Sequence, residues 1–366
     1  MEYYTETRRH DSVPSLHNDI FNKERDWETL YSRSPCQRHR YFTSPSFLKS
    51  WIINWPSHVV TYSSRLFKGD KCVGIAFFGC TRETIGKILK PKTLHLMRTG
   101  LSDVDQVWPE FIEPVSDLSS EELSLVWPHW VASVMRDTGA SQMIQHVTPL
   151  SSMLPHSKST EKRVALRVEN QEGGPYRDLS IPLEFKSSTR RKLSQTNRYF
   201  KEEPLHLKEM IAPDDVKNLL SLMSKWHRQK WDRTDTPSGF NNPYFKATLH
   251  QMALGSSTPS FALMSGQKIV GGTILVEDDA WVGFYLSGYQ SFESNHVHLG
   301  IAMHAKLMQH FQDRGKRVYD FMAGEDSYKG ALSTHHNTYA RGRWVKQRSI
   351  IGLAYRILGD KQDCLY

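Results

Sequence analysis

The sequence predicts an α/β (α+β) protein built as two packed halves, and three observations carry that prediction. A helix–hairpin unit occurs twice: L-F-K-G-D-K-C-V-G (Leu66 to Gly74) matches L-M-S-G-Q-K-I-V-G (Leu263 to Gly271) at five of nine positions, 197 residues apart. Pro45 and Phe47 keep nearly the same offset from Pro243 and Phe245, which argues for an internal duplication. The third observation is the stretch R-V-Y-D-F-M-A-G-E-D-S-Y-K (Arg317 to Lys329). Its β-branched and aromatic strand, Val318 to Met322, ends at Ala323-Gly324 and releases acids, a phenol and an amine at one sheet edge, where α/β folds present chemistry.

The 366 residues suffice for two domains, and 39% hydrophobic with 11% aromatic residues provide for sizeable cores. The longest nearly apolar run, Cys72 to Cys80, is nine residues, far short of the roughly 20 a membrane helix needs. The N-terminus M-E-Y-Y-T-E-T-R-R-H-D has no apolar signal core. The four cysteines show no metal-type spacing and no sign of an oxidising compartment, so a cytoplasmic protein without a metal is expected. A net charge of +8 points to an anionic partner; phosphate-bearing cofactors, RNA and anionic lipid surfaces all satisfy it.

Residues 1–25 are polar and aperiodic and are expected to be a loosely held terminus. The first half, 26–170, opens with W-E-T-L-Y and a helix at Ser46 to Asn54, with Phe47, Leu48, Trp51 and Ile52 on one face. Strands Val59 to Phe67 and Cys72 to Phe78 follow around a turn at Gly69, and a helical pattern covers Glu121 to Thr138. The second half, 171–366, begins with a strand at Tyr176 to Ile181. Phe185 to Lys201 then carries six basic residues and no acid, with Ser187, Ser188 or Thr189 as candidate helix cap. A strong helix runs from Asp214 to Trp231, with Val216, Leu220, Met223, His227 and Trp231 on one face.

The repeated unit comes next: a helix from Pro243, then strands Ser260 to Met264 and Ile269 to Val276. The strand W-V-G-F-Y-L-S-G-Y (Trp281 to Tyr289) leads through a polar loop to a helix opened by V-H-L-G-I-A (Val297 to Ala302). A helix start of this kind aims free N–H groups and its dipole at an anion such as a pyrophosphate. The run Arg341 to Arg348 reads as a late strand with a solvent-exposed basic face.

A hairpin, a long strand, a G-x-A helix start and a further strand resemble the core of the GNAT acyltransferases. Their pyrophosphate loop is R/Q-x-x-G-x-G/A; Gly300 and Ala302 fit it, and Val297 departs at the R/Q position, where His296 or His298 would supply donors. The stretch D-F-M-A-G-E-D-S-Y-K (Asp320 to Lys329) resembles the D-F-x-x-G-x-x-x-Y-K signature of the cellulose-biosynthesis (CelD-type) branch, related to the FemAB tandem group. G-P-Y-R-D-L, R-R-K-L, W-H-R-Q-K-W and R-T-G-L-S-D-V-D-Q-V-W agree, so the resemblance spans about 27–350.

The resemblance implies GNAT-like halves with mixed, mostly antiparallel sheets, and an acyl-CoA-dependent N- or O-acyltransferase using acetyl-CoA or another acyl-CoA, without a metal. The acceptor would be a sugar or amine in exopolysaccharide or cell-envelope biosynthesis, with polysaccharide-assembly proteins as partners. Two alternatives stay open: FemAB-like transfer from aminoacyl-tRNA, and a degenerate non-catalytic scaffold. Direct attack by the acceptor needs a base, an acid for the leaving thiolate, and donors to the carbonyl oxygen. Tyr328 beside Lys329 is the candidate acid, and Glu325, Asp326 or Asp320 the candidate base. Lys329 is alternatively a binder of phosphate or an anionic sugar. His298, Gly300 and Ala302 are the expected cofactor residues, and His227, Arg191, Arg98 and Asp105 the expected acceptor residues. The first half has no Tyr-Lys counterpart, which places the chemistry in the second.

Overall fold

Pro45, Pro213 and Pro243 each stand at the start of a helix, as expected. In this computed structural model, which describes residues 2–23, 26–35, 41–82, 90–150, 153, 161–232, 238–324 and 327–353, the chain separates into two units. Unit 1 comprises 1–172 with 338–366, and unit 2 comprises 173–337.

In unit 1, β1 (Tyr3–His10), α1 (Val13–His17) and α2 (Asp26–Arg33) precede α3 (Pro45–Ile52). Ser44 caps α3 by accepting the Phe47 N–H, and Phe47, Leu48, Trp51 and Ile52 are all buried. The hairpin β2 (Thr61–Lys68) and β3 (Lys71–Arg82) turns at Gly69, whose φ of 60° is the left-handed conformation such a turn requires. Then come β4 (Lys92–Leu96), β5 (Val115–Ser116), α4 (Ser120–Thr138), β6 (Gln142–Pro149) and β7 (Val164–Asp178), which crosses into unit 2 at Gly173. A capping box joins Ser119 and Glu122 at the start of α4, and Gly139 closes it at φ 70°.

Unit 2 contains α5 (Ser187–Tyr199), β8 (Leu205–Glu209), α6 (Pro213–Trp231), α7 (Pro243–Met252), β9 (Ser260–Ser265), β10 (Lys268–Glu277), β11 (Trp281–Tyr289), α8 (Leu299–Asp313), β12 (Val318–Asp320) and α9 (Ser327–Leu332). β13 (His335–Lys346) carries the chain back to unit 1. The sheet order is β1-β2-β3-β4-β6-β13 in unit 1 and β7-β12-β11-β10-β9-β8 in unit 2. Each unit has one parallel pair bracketing a helix, β4–β6 around α4 and β11–β12 around α8; the other registered pairs are antiparallel. The same order of helix, hairpin, strand, helix and parallel strand in both units is the architecture the duplicated sequence implies.

The sheet of unit 2 separates two cores. Along β9, Phe261 and Leu263 join a cluster with Met303, Leu307 and Phe311 of α8, while Ala262 and Met264 join Leu219, Met223 and Leu249 of α6 and α7. Alternate side chains of a strand point to opposite faces, so α8 lies on one face of the sheet and α6 and α7 on the other.

Three expectations change. Residues 3–10 are not a loose terminus: they form β1, paired with β2 from Tyr3–Lys68 to His10–Thr61. The basic face of the late strand is not solvated. Arg343 is 9% exposed, and its guanidinium donates to Glu169 Oε1 (2.7 Å) and Gln142 Oε1 (3.0 Å). α5 starts from Lys186 with no side-chain cap, although three hydroxyl residues follow.

Candidate active site

β11 and β12 pair in parallel over only three residues, Trp281–Val318, Val282–Tyr319 and Gly283–Asp320. β11 then bulges, since Leu275 of β10 lies opposite Phe284 and Ile274 opposite Leu286, which leaves Tyr285 as the extra residue. A bulge bends and twists its strand. On the other side, the chain beyond Asp320 stays with the β7 segment: Phe321 N–H donates to Pro175 O and Gly324 N–H to Gly173 O, both at 3.0 Å. The two strands therefore part after Gly283 and Asp320 and open a wedge in the sheet.

The chain leaves β12 through a strained turn. Met322 takes φ 63° and Gly324 φ 101°, and the left-handed conformation costs a residue with a Cβ about 1–2 kcal/mol. Two buried charges hold the turn. Asp320 is fully buried; its Oδ1 accepts the Met322 N–H (2.8 Å) and its Oδ2 the Trp281 Nε1–H (3.1 Å). Lys329 is 7% exposed, and its ammonium donates to Ala323 O (3.1 Å) and Gly324 O (3.2 Å). Asp320, expected as base, and Lys329, expected beside the acid or on an anion, are both buried: Asp320 accepts from a backbone N–H and an indole N–H, and Lys329 donates to two backbone carbonyls. The polar run is not a loop throughout, because its end forms α9 and carries Tyr328, which remains half-buried. Glu325 and Asp326 lie outside the described residues.

Two residues that sequence reasoning passed over sit under Tyr328. His304 of α8 is 1% exposed; its Nδ1 is 2.9 Å from the hydroxyl of Tyr319, which is fully buried. The imidazole stacks on the Tyr328 ring with centroids 5.6 Å apart and planes 22° from parallel. Burial, with the Lys329 ammonium adding to it, pushes His304 down to about 3, and burial pushes the Tyr319 phenol well up, so both are neutral at neutral pH. The signal was there: His304 is four residues past Gly300 on the apolar stripe of α8, and Tyr319 precedes Asp320.

The helix start expected to hold an anion stands next to this wedge in sequence. α8 has no side-chain cap and no acid in its first turn. The N–H groups of Leu299, Gly300 and Ile301 find no acceptor among the described residues, whereas that of Ala302 bonds His298 O (3.1 Å). Ala302 itself is core, 1% exposed. A Cβ at Gly300 would make only ordinary contact with the Tyr289 ring, at 3.6 Å, so the protein's own packing does not demand glycine there. Val297 packs on the core cluster of α8. The loop is fastened by α5 instead: buried Thr196 accepts the His298 N–H at its Oγ1 (3.0 Å), while its hydroxyl donates to Lys192 O (2.9 Å) and lies 3.4 Å from His296 O. Phe292 of the loop packs edge-on against Tyr199 and Phe200. Burial, then Lys192 and His296, lower the His298 side chain below the ordinary histidine value, leaving a neutral imidazole there.

The residues expected to meet the acceptor are placed as follows. His227 lies on α6, across the sheet from α8, with Nδ1 2.8 Å from Ser238 Oγ and its ring against Trp231 and Phe240. Burial pushes it down to about 4, so it is no switch near neutral pH. Arg191 is exposed on α5 and makes no ion pair among the described residues. Arg98 and Asp105 are buried inside unit 1, where they staple the segment after β4. Arg98 donates to Pro109 O (2.6 Å), and the Asp105 carboxylate accepts from the Thr99 N–H and hydroxyl and the Gly100 N–H. Among the described residues no group of His, Cys, Asp and Glu is arranged to hold a metal, and no helix is long and apolar enough to cross a membrane.

Residues 187–330 match the family profile described as an acetyltransferase (GNAT) domain. No curated protein sequence matches the chain. Among solved structures it is similar to L-PGS from Bacillus licheniformis (11% identity, 93% of this chain and 98% of that one, TM-score 0.53). It is also similar to the C-terminal domain of a putative lysylphosphatidylglycerol synthetase from Agrobacterium fabrum (12%, 91% and 95%, 0.53). FemX compares at 7% identity, over 98% of this chain and all of that one, with TM-score 0.54. At these identities the likeness is one of fold, extending over both units.

Proposed function

With a GNAT acetyltransferase domain at residues 187–330, and an acyltransferase therefore in hand, we propose that this protein moves an acyl group from an acyl-CoA to an amine or hydroxyl of a sugar acceptor at the wedge of unit 2. The observation that carries the donor half of this reading is the bare start of α8. Three N–H groups without an acceptor among the described residues head a 15-residue helix, beside a glycine that internal packing does not require. This is the donor set that suits a pyrophosphate, and Thr196 and Phe292 hold it in place without the R/Q residue of the usual loop. When bound, the thioester supplies a carbonyl open to direct attack.

The chain's own residues then have simple tasks. Tyr328, half-buried at the wedge, is the proton donor for the departing thiolate, a task its phenolic O–H can perform. Asp320 and Lys329 hold the turn that presents it. A carboxylate base is not required, because an amine acceptor can shed its proton to water after attack. The exopolysaccharide setting follows from the resemblance to the CelD-type signature.

The test is release of free thiol from acetyl-CoA across a panel of amino sugars, sugar nucleotides and simple amines, with thermal melts in the presence of CoA. Turnover with at least one acceptor and a rise in Tm with CoA are expected. Neither signal appearing would remove this reading.

A second donor, an aminoacyl ester on the 3′ end of a tRNA, is favoured by one observation. Lys186, Arg190, Arg191, Lys192 and Arg198 on or next to α5 make no ion pair among the described residues, and four of the five are exposed. A face of this kind would give binding that falls steeply with salt. Filter retention of charged tRNA at two salt concentrations separates the donors, and no retention at low salt eliminates the second.

A further inference from the structure

The imidazole of His304 occupies the fork where the two strands of the wedge part. Phe284, the first residue of β11 past its pairing with β12, meets the ring edge-on at 4.6 Å. Phe321, the first residue past β12, meets it at 5.1 Å and 62°. Tyr319 closes a third side at 5.9 Å and 82°, and Tyr328 covers one ring face at 5.6 Å. One side chain of α8 thus touches both limbs of the wedge and α9. The titratable groups facing it are Tyr319, Tyr328 and Lys329.

The Tyr319 hydroxyl is fully buried, and His304 Nδ1 is its hydrogen-bond partner among the described residues, at 2.9 Å. That bond stops the imidazole from flipping about its own axis.

We infer that Tyr319 and His304 are positioning residues for the proposed reaction, a fixed aromatic platform that orients the Tyr328 phenol toward the wedge; the inference rests on Tyr328 being the proton donor. A buried histidine next to a reacting centre invites the role of general base. The geometry assigns it another, because its Nδ1 is engaged by the Tyr319 hydroxyl and aromatic rings surround it. The platform is of use because the acid sits on the six-residue α9, reached through the strained turn. A short helix cannot hold a phenol to within a fraction of an ångström by its own packing, and errors of about 1 Å cost up to 100-fold in rate.

The experiment compares Tyr319→Phe and His304→Phe with the wild type in three readouts: kcat and donor KM, the pH profile, and the NMR resonances of tyrosine rings labelled with ¹³C. Tyr319→Phe keeps the packing and removes one hydroxyl, so it carries the test if His304→Phe fails to fold. Expected are a kcat about tenfold lower in Tyr319→Phe, a donor KM within twofold of wild type, and no limb near pH 6.5 in the wild-type profile. The Tyr328 ring resonance should shift in both variants. A kcat within twofold of wild type in folded variants overturns the inference. So does a fall in Tm with KM rising in step, which is the signature of general loosening. If the wild type turns over no acceptor, the proposed function fails, and the Tyr328 resonance alone decides the platform: unchanged in both variants, it refutes it.

Discussion

Replacing Thr196 with valine removes one oxygen and almost no volume, and the consequence can be worked from three contacts. Thr196 Oγ1 accepts the His298 N–H (3.0 Å), its hydroxyl donates to Lys192 O (2.9 Å), and His296 O is 3.4 Å away. Lys192 O keeps its helical role, but the His298 N–H loses its acceptor at a half-buried position. Leaving such a donor unsatisfied costs about 1–3 kcal/mol. If the loop escapes this cost by leaving its bound geometry, the N–H groups of Leu299, Gly300 and Ile301 lose their alignment. Donor affinity then falls by the same energy, roughly 5- to 150-fold. The rate at saturating donor should change little, since in the proposed site the loop would hold the donor's phosphates and not the reacting carbonyl. Calorimetric titration with CoA measures the affinity, and amide exchange at 296–301 measures the loop without any cofactor. Thr196→Ser restores the oxygen and should bind within about threefold of wild type. The reasoning is refuted if Thr196→Val binds CoA as the wild type does with unchanged exchange at 296–301, or if Thr196→Ser is as weak as Thr196→Val.

Other consequences are as direct. Lys329→Met strips the Ala323 and Gly324 carbonyls of a buried charged donor; it should cost about 2–4 kcal/mol in a urea melt and lower kcat by loosening the turn under Tyr328. Acid should destabilise the protein earlier than its carboxylates require. His304 and His95 are pushed down to about 3 and His227 to about 4, so below pH 6.5 the unfolded chain binds protons that the folded one refuses. Stability is complete above that pH and falls as pH drops through 6.5, by about 1.4 kcal/mol per pH unit for each fully buried imidazole. Melts between pH 7 and 5 check this, and His304→Phe should flatten the slope by one proton. Gly288→Ala should unfold the protein or dislodge α6, because a Cβ there would lie 2.8 Å from Met223 O.

The parts of the fold visible in the sequence are those written in local chemistry. Gly69 and Gly266, at φ 60° and 53°, turn the two hairpins that the repeat predicts, and Ser44-Pro45 and Asn242-Pro243 start matching helices. β1 was invisible because an edge strand with one polar face, Y-Y-T-E-T-R-R-H, has no apolar periodicity to detect. The return of β13 to unit 1 depends on Arg343 meeting Glu169 and Gln142, contacts between residues far apart in the chain. At the candidate site the sequence shows the charges of Asp320 and Lys329 but not their burial or their partners, the Met322 N–H and Trp281 indole for one and the Ala323 and Gly324 carbonyls for the other, because those contacts exist only once the turn has folded. His304 drew no attention in the sequence, since its partner, the Tyr319 hydroxyl, sits on a different element.

The central claim is that Tyr328 protonates the leaving thiolate at the wedge of unit 2, and Tyr328→Phe tests it with a single atom. The measurement is steady-state thiol release from acetyl-CoA with the best acceptor of the panel, wild type against variant, at saturating donor. The account predicts a kcat lower by about 10²- to 10⁴-fold, the range for loss of a general acid, with donor KM within twofold and an unchanged Tm. Equal rates in the two proteins would contradict it.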